Sequence, residues 1–408
     1  MKIEIDTVKG FQDFLPPESL KREEVKKVIE KYFRLYGFLP VETPIIEYDE
    51  LMRQDSLPLE QEDEAVSDRF KLKDKGGRNL GLRYEFTFQL SRIFKRNPNI
   101  KLPFKRYQIG PVFRDEPVSS TRFRQFIQCD ADIIGDPSTN SDIECIALIS
   151  DILKELKIEA EIEVNNRRLL TSIIQSVEIK NTSKAIKEID KIPKIGEDQV
   201  KLNLKKETSP NQVITLFKLL EKPLEFFIEN SFDGSESLEK LFEKSKTYGI
   251  KLKFNPYLAR GLAYYTGLIF EVKIKGKKDS IAGGGRYDKT VGKYLNREIP
   301  AVGISFGLER ISELAQIKEE KYPKCLIISL DQDKEAVKLS RNLRKQKISC
   351  SVEFGQPGKR LEYANALQIP YAIFIGKEES GKNKFKLKEM KSGEEKLLTE
   401  KQLVKKLS

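Results

Sequence analysis

The chain has 408 residues, enough for two or three domains, with 39% hydrophobic and 34% charged residues and a formal net charge of +11. It contains no histidine, which excludes a Ser-His-Asp triad, a Cys-His dyad, a His-Glu-x-x-His zinc site and a Cys₂His₂ finger. The cysteines at 129, 145, 325 and 350 make no Cys-x-x-Cys pair and read as reduced thiols of a cytoplasmic protein, with no apolar run long enough for a membrane span and no apolar secretory region at the N-terminus.

From the N-terminus, Pro16-Pro17 closes a strand and loop, and Ser19 stands where a helix N-cap is expected. That helix is predicted to run to Tyr36 and to stop at Gly37. Val25, Val28, Ile29, Tyr32, Phe33 and Tyr36 recur at helical spacing and give it one broad apolar face. Residues 38–46 are strand-like but hold two prolines, which assigns them to a sheet edge or an interface. Residues 106–114 and 125–134 alternate around a polar, turn-rich loop at 115–121 and predict an antiparallel pair. A helix follows over 140–156. Residues from about 165 to 250 form a Lys/Glu/Ile-rich, mainly helical insertion with no chemical motif. Strand signals return at 267–274 and 279–282, then comes a glycine run, then a strand at 301–306. The order predicts an α+β core over 1–320, built on an antiparallel sheet.

Residues 321–408 hold 20 Lys and Arg against 11 Asp and Glu, so about a fifth of the chain carries most of the net charge. Strands at 325–330, 348–354 and 371–376 alternate with helices at 333–346 and 359–367. A hairpin at Met390-Lys391-Ser392-Gly393 and a short final helix follow. Ala336, Val337, Leu339, Ser340 and Leu343 fall near one face of the first of these helices. This pattern predicts a separate, basic α/β domain. Its charge reads equally as a site for a polyanion, most simply a nucleic acid, and as a solvated lysine face.

Four clusters mix arginine, acid and tyrosine. The first is Leu82-Arg83-Tyr84-Glu85-Phe86-Thr87. The second is Phe113-Arg114-Asp115-Glu116, a loop, then Arg122-Phe123-Arg124-Gln125-Phe126-Ile127-Gln128-Cys129-Asp130-Ala131-Asp132. The third is Ala259-Arg260-Gly261-Leu262-Ala263-Tyr264-Tyr265-Thr266-Gly267, followed by Gly283-Gly284-Gly285-Arg286-Tyr287-Asp288. The fourth is Gly303-Ile304-Ser305-Phe306-Gly307-Leu308-Glu309-Arg310. Arginine is always charged, planar and able to donate in pairs, which suits phosphate. Strand alternation would put Arg122, Arg124 and Phe126 on one face, two cations beside an aromatic plane, as a nucleoside triphosphate needs. Taken singly, an arginine is ordinarily a surface ion pair and a phenylalanine ordinarily core; the joint occurrence in one hairpin carries the reading.

These clusters resemble the class II aminoacyl-tRNA synthetases and, among them, the histidyl-tRNA synthetases. The resemblance runs from Gly10-Phe11-Gln12-Asp13-Phe14-Leu15-Pro16 through Pro44 to the C-terminal domain. Arg-Gly-Leu-x-Tyr-Tyr-Thr-Gly with Gly-Gly-Gly-Arg-Tyr-Asp is its most specific part. The resemblance implies adenylation of histidine by ATP with Mg²⁺, transfer to the 3′ end of tRNA(His), an anticodon-binding role for 321–408, and a homodimer through helix 20–36 and the strand to Pro44. It implies that Arg114 holds the α-phosphate, Arg122 the β/γ-phosphates and Arg310 the γ-phosphate. Arg260 would stand between the amino acid's carboxylate and the α-phosphate. Phe126 would stack on adenine and Glu116 would contact the nucleotide. Glu85, Thr87 and Gln128 would take the ammonium, Asp132 and Tyr265 would read the ring, and Tyr264 and Tyr287 would complete the pocket. Adenylation needs no general base, since an α-carboxylate of pKa ~3.3–3.7 is already ionised at pH 7, so a chain without histidine can perform it.

The chain departs from the bacterial pattern at Asp132, where Glu is usual, at Ala263 in place of Asp, at Ile127 in place of His or Tyr, and at Pro117 in place of Arg. Two rivals stand beside this reading: the synthetase-like regulatory subunit of ATP phosphoribosyltransferase, which keeps the core fold but lacks the C-terminal domain, and, from another class, a non-catalytic tRNA-binding sensor, which needs no triphosphate clamp.

Overall fold

In the computed structural model, which describes residues 5–52, 69–119, 122–260, 264–276, 280–317, 323–377, 379 and 384–408, the chain divides into two units, 1–317 and 318–408. Among the described residues, eleven strands belong to the first: β1 (Leu39–Pro40), β2 (Ile46–Tyr48), β3 (Lys71–Lys73), β4 (Asn79–Leu82), β5 (Phe104–Phe113), β6 (Gln125–Ile134), β7 (Ala160–Asn166), β8 (Leu252–Phe254), β9 (Leu268–Ile274), β10 (Ser280–Arg286) and β11 (Ala301–Gly307). Eight form one sheet in the order β1-β5-β6-β11-β10-β9-β7-β8. It is antiparallel throughout its middle and parallel only where β1 meets β5 and β7 meets β8. The strands β2, β4 and β3 make a small second sheet.

The period of two along β6 explains why this sheet carries a site on one face only. Cys129, Ala131 and Ile133 point into the main core, where they join Val25, Ile29 and Phe33 of the helix Glu18–Leu35 and Ile146, Ile149 and Ile152 of the helix Thr139–Glu155. Gln128, Asp130 and Asp132 point to the opposite face. The helix Glu18–Leu35 begins after Pro17 rather than at Ser19, which lies within its first turn and caps nothing. Gly37 ends it as expected. At φ +78 it lets its own N–H reach the Arg34 carbonyl and the Phe38 N–H reach the Phe33 carbonyl, the paired bonds of a Schellman stop. Of residues 38–46, only Leu39–Pro40 joins a sheet before Ile46, at its edge. The glycine run expected to follow a strand lies inside one, since β10 continues through Gly283, Gly284 and Gly285 to Arg286.

Residues 165–250 are mainly helical, with seven helices from Arg167–Ser176 to Ser235–Thr247 among the described residues. In the second unit, β12 (Cys325–Ser329), β13 (Cys350–Phe354), β14 (Tyr371–Ile375), β15 (Phe385–Glu389) and β16 (Glu395–Leu398) lie in the order β13-β12-β14-β15-β16. The first three are parallel and the last two close a hairpin. Helix Asp333–Lys345 packs Ala336, Leu339 and Leu343 on one side of this sheet, and Leu361 and Ala364 of the helix Pro357–Ala366 cover the other. Val337, placed by periodicity near the buried face, points to solvent. Among the described residues no helix is long and apolar enough to cross a membrane.

Candidate functional site

The polar face of the large sheet opens into a cavity of about 660 Å³. Its floor is made of glycine. Asp130 pairs with Ser305 on β11, Ser305 with Gly283 on β10, and Gly283 with Glu271 on β9. One step along, Asp132 pairs with Gly303 and Gly303 with Gly285. The missing side chains make room for others. A Cβ at Gly283 would run into the Arg260 guanidinium, one at Gly303 into the Asp132 carboxylate, and one at Gly285 would come within 2.8 Å of the Tyr265 ring. Arg260 itself adopts φ +48, a left-handed backbone that non-glycine residues rarely take.

The closed end of the cavity is acidic. Asp132 is buried, with Arg106 Nη2 2.7 Å from its Oδ2 at an angle that makes an ion pair rather than a hydrogen bond. The Tyr287 hydroxyl donates to its Oδ1. Burial raises the Asp132 carboxyl above its ordinary value, while Arg106 and then Tyr287 oppose the rise. Burial also pushes Asp130 up to about 7. Glu85 accepts the backbone N–H groups of Thr87 at 2.6 Å and Phe88 at 2.8 Å, so its carboxylate caps the helix Phe88–Arg96; burial raises it, and those bonds pull it back. Tyr264 and Tyr265 lie with ring centroids 5.0 Å apart, and Tyr264 is 5.8 Å from Tyr287.

The open end is cationic. Arg114 donates to the Tyr84 carbonyl at 3.2 Å and to the Gln128 amide oxygen at 3.4 Å, and its guanidinium lies 5.1 Å from the Phe126 centroid. Arg310 donates to the Ser280 carbonyl at 2.6 Å. Arg260 faces Glu271 at 3.3 Å. Arg122 also lines the cavity. Arg124 does not act with it as strand alternation suggested. The strand begins only at Gln125, and Arg124 is engaged by Asp115 at 3.1 Å and by the Glu116 carbonyl at 3.1 Å.

Of the side chains singled out from the sequence, Glu85, Thr87, Arg114, Arg122, Gln128, Asp132, Arg260, Tyr264, Tyr265, Tyr287 and Arg310 line this one cavity; Glu116 and Phe126 do not. Ala263 lies outside the described residues. Asp130 and Ser305 also line it; they stood in the second and fourth clusters without a role. Glu271 and Lys273 were missed, as were Asp190, Lys194 and Glu197, which the helical insertion brings to the cavity wall. The alternation Gln128, Asp130, Asp132 held the signal for Asp130. The insertion residues look like any solvated charges in sequence.

A family model described as histidyl-tRNA synthetase matches residues 10–311, and one described as an anticodon-binding domain matches residues 324–408. The chain belongs to the histidyl-tRNA synthetase family. It is 37% identical to histidine–tRNA ligase 1 of Bacillus cereus, over 96% of this chain and 97% of that one. It is 36% identical to the histidine–tRNA ligase of Korarchaeum cryptofilum, over 91% of each. Among solved structures it is similar to the histidyl-tRNA synthetase of Nostoc sp. PCC 7120, with a TM-score of 0.86 and 28% identity, covering 100% of this chain and 99% of that one. An ATP phosphoribosyltransferase regulatory subunit/histidyl-tRNA synthetase from Bacillus halodurans shares the fold at a TM-score of 0.75 and 21% identity, covering 90% of this chain and 97% of that one. An α+β core on a largely antiparallel sheet, with a C-terminal α/β domain, is therefore the family's architecture as well as this chain's.

Proposed function

We propose that the chain ligates L-histidine to its cognate tRNA in two steps. A carboxylate oxygen of histidine attacks the α-phosphorus of ATP and pyrophosphate leaves; the histidyl group then passes from the adenylate to the 3′ end of tRNA(His). The observation that carries this reading is the convergence of Arg114, Arg122, Arg260 and Arg310, from distant stretches of chain, on a cavity whose other end holds Asp132, Tyr265 and Tyr287. The nucleophile is already ionised, so the reaction needs aligned groups and fixed positive charge rather than a base.

In this reading Arg114 meets the α-phosphate, Arg122 the β/γ-phosphates and Arg310 the γ-phosphate. A base stacked on Phe126 brings its phosphates beside Arg114, and Glu116 lies on the nucleotide side. Arg260, held over Gly283, bridges the amino acid's carboxylate and the α-phosphate. Thr87, Gln128 and Glu85 take the ammonium. Asp132 and Tyr265 read the two ring nitrogens, with Tyr264 and Tyr287 closing the wall. A site that hydrogen-bonds a polar side chain rejects analogues lacking it by ~10⁴–10⁵. Mg²⁺ enters with the triphosphate as part of the substrate. Residues 318–408 supply the anticodon contacts, and the enzyme works in the cytoplasm as a homodimer.

Histidine-dependent exchange of pyrophosphate into ATP tests the assignment. The ligase shows it, and charges tRNA(His), whereas a regulatory paralogue or a tRNA sensor shows neither. Arg260→Ala should slow exchange by at least about 100-fold, as loss of a transition-state donor does, and leave tRNA affinity nearly unchanged.

A further inference from the structure

Asp130 lines the cavity, yet none of the roles above uses it. Its side chain is buried. Oδ2 accepts the Gln128 amide N–H at 2.9 Å; among the described residues Oδ1 has no partner within hydrogen-bond geometry, the Ser305 side chain being the neighbour that pulls the carboxyl down after Arg106. Arg106 and Gln108 face it from β5, Ser305 from β11, Asp132 from its own strand, and Tyr265 from the cavity wall. Beyond Gly283 stand Arg260 and Glu271.

The charges at the closed end do not balance. Among the described residues there, three buried carboxyls, Glu85, Asp130 and Asp132, share the single buried guanidinium of Arg106. That guanidinium lies against Asp132, and Glu85 has its two oxygens on backbone N–H groups of a helix start. Asp130 is left without a cation of its own, and a buried, unpaired carboxylate is costly enough that such a group takes up a proton instead. The cation that would change this is the substrate's ammonium, which the reading above seats among Glu85, Thr87 and Gln128, the last of them bonded to Asp130.

We propose that Asp130 holds a proton in the empty cavity and releases it to solvent when the α-ammonium of the bound amino acid settles beside Gln128. The inference rests on the histidine-pocket reading and adds to Glu85 a second acid beside the ammonium. In balance, one carboxyl O–H bond breaks, the proton goes to buffer, and a carboxylate–ammonium pair remains. Burial holds the empty-state carboxyl at about 7 against an ordinary 3.8, so the group is about half protonated at pH 7. A neighbouring cation lowers that value. Release therefore grows as pH falls from 8 through 7 and fades above 8.

The experiment is calorimetric titration with histidine in two buffers of different ionisation heat, on the full chain and on Asp130→Asn. At pH 7 the unaltered chain should release about half a proton more than the variant. Comparing the two cancels the titration of the substrate's own imidazole. L-Histidinol, which keeps the ammonium, should show the same difference. Imidazole-4-propionate, which lacks it, should show none. Equal release from both chains overturns the proposal and means that Arg106 keeps Asp130 ionised throughout; the same difference between the chains with imidazole-4-propionate overturns the assignment to the ammonium. If Asp130→Asn does not fold, histidinol against imidazole-4-propionate on the unaltered chain decides alone. Pyrophosphate exchange on the same preparation separates the two levels. Exchange without this proton release defeats the inference only, and no exchange defeats the reading beneath it.

Discussion

A methyl group added at Gly283 and one added at Gly284 would meet different neighbours, although the residues are adjacent. At Gly283 it would strike the guanidinium of Arg260, the movable end of a long side chain. At Gly284 it would strike the backbone carbonyl of Gly303 across the β10–β11 ladder and come within 2.5 Å of the Phe270 ring, in the core. Gly283→Ala should therefore leave the melting temperature nearly unmoved and remove most pyrophosphate exchange, since Arg260 must leave its seat. Gly284→Ala should instead cost about 1–3 kcal/mol of stability by overpacking, read as a lowered melting temperature. Equal effects of the two on stability would contradict the floor described here. The same motif shows what sequence could and could not tell apart. Tyr287 faces the cavity. Arg286 instead ties the end of β10 to the helix Thr139–Glu155, with Nη2 2.7 Å from Asp142, and Asp288 accepts the Ala301 N–H at 3.0 Å. Arg83 likewise holds the Thr43 and Pro111 carbonyls, at 2.6 and 2.9 Å. Motif membership does not separate a residue that touches a ligand from one that holds the frame.

Elements whose burial follows one simple period were legible in advance. The antiparallel pair β5–β6 was readable because its core face alternates with its cavity face. The inward stripe of the first helix was readable because Val25, Ile29 and Phe33 are fully buried and spaced by four. The glycine run was not, because glycines ordinarily mark turns; only the folded positions of Arg260, Tyr265 and Asp132 show why a strand needs them. The insertion gave no signal for Asp190, Lys194 or Glu197, whose placement depends on how a helical segment returns to the cavity. The stretch after the first helix carries a prediction of its own. Leu35, Leu39, Ile46 and Tyr48 are 67, 58, 50 and 52% exposed; Leu35 ends the helix, Leu39 lies on the edge strand β1, and Ile46 and Tyr48 lie on the edge strand β2. Four large apolar side chains in so short a stretch suit burial against a second copy of the chain. Light scattering at micromolar concentration should give a dimer, and Leu39→Asp should weaken it at least about tenfold, or ~1.4 kcal/mol. A monomer would refute the dimer.

The two units have separate cores and unequal charge. Residues 321–408 hold a surplus of nine positive charges out of eleven for the chain, and they bury their own apolar side chains on both faces of a five-stranded sheet. The cavity residues all come from the first unit. The proposed chemistry and the proposed polyanion binding fall on different stretches of one chain, so a shortened chain tests them apart. A chain ended at Ile317 keeps the glycine floor, the four cavity arginines and the acidic end. It should catalyse histidine-dependent pyrophosphate exchange within a few-fold of the full chain. Charging of tRNA should fall much further, because counterion release at the basic unit contributes to affinity. The remaining charging should also depend less on salt: between low and moderate ionic strength, the full chain's tRNA affinity should drop more steeply than that of the shortened chain. If shortening abolished exchange while the first unit stayed folded by circular dichroism, the division of labour would be wrong. If the salt dependence were the same in both, the surplus charge of the second unit would be no more than a solvated surface.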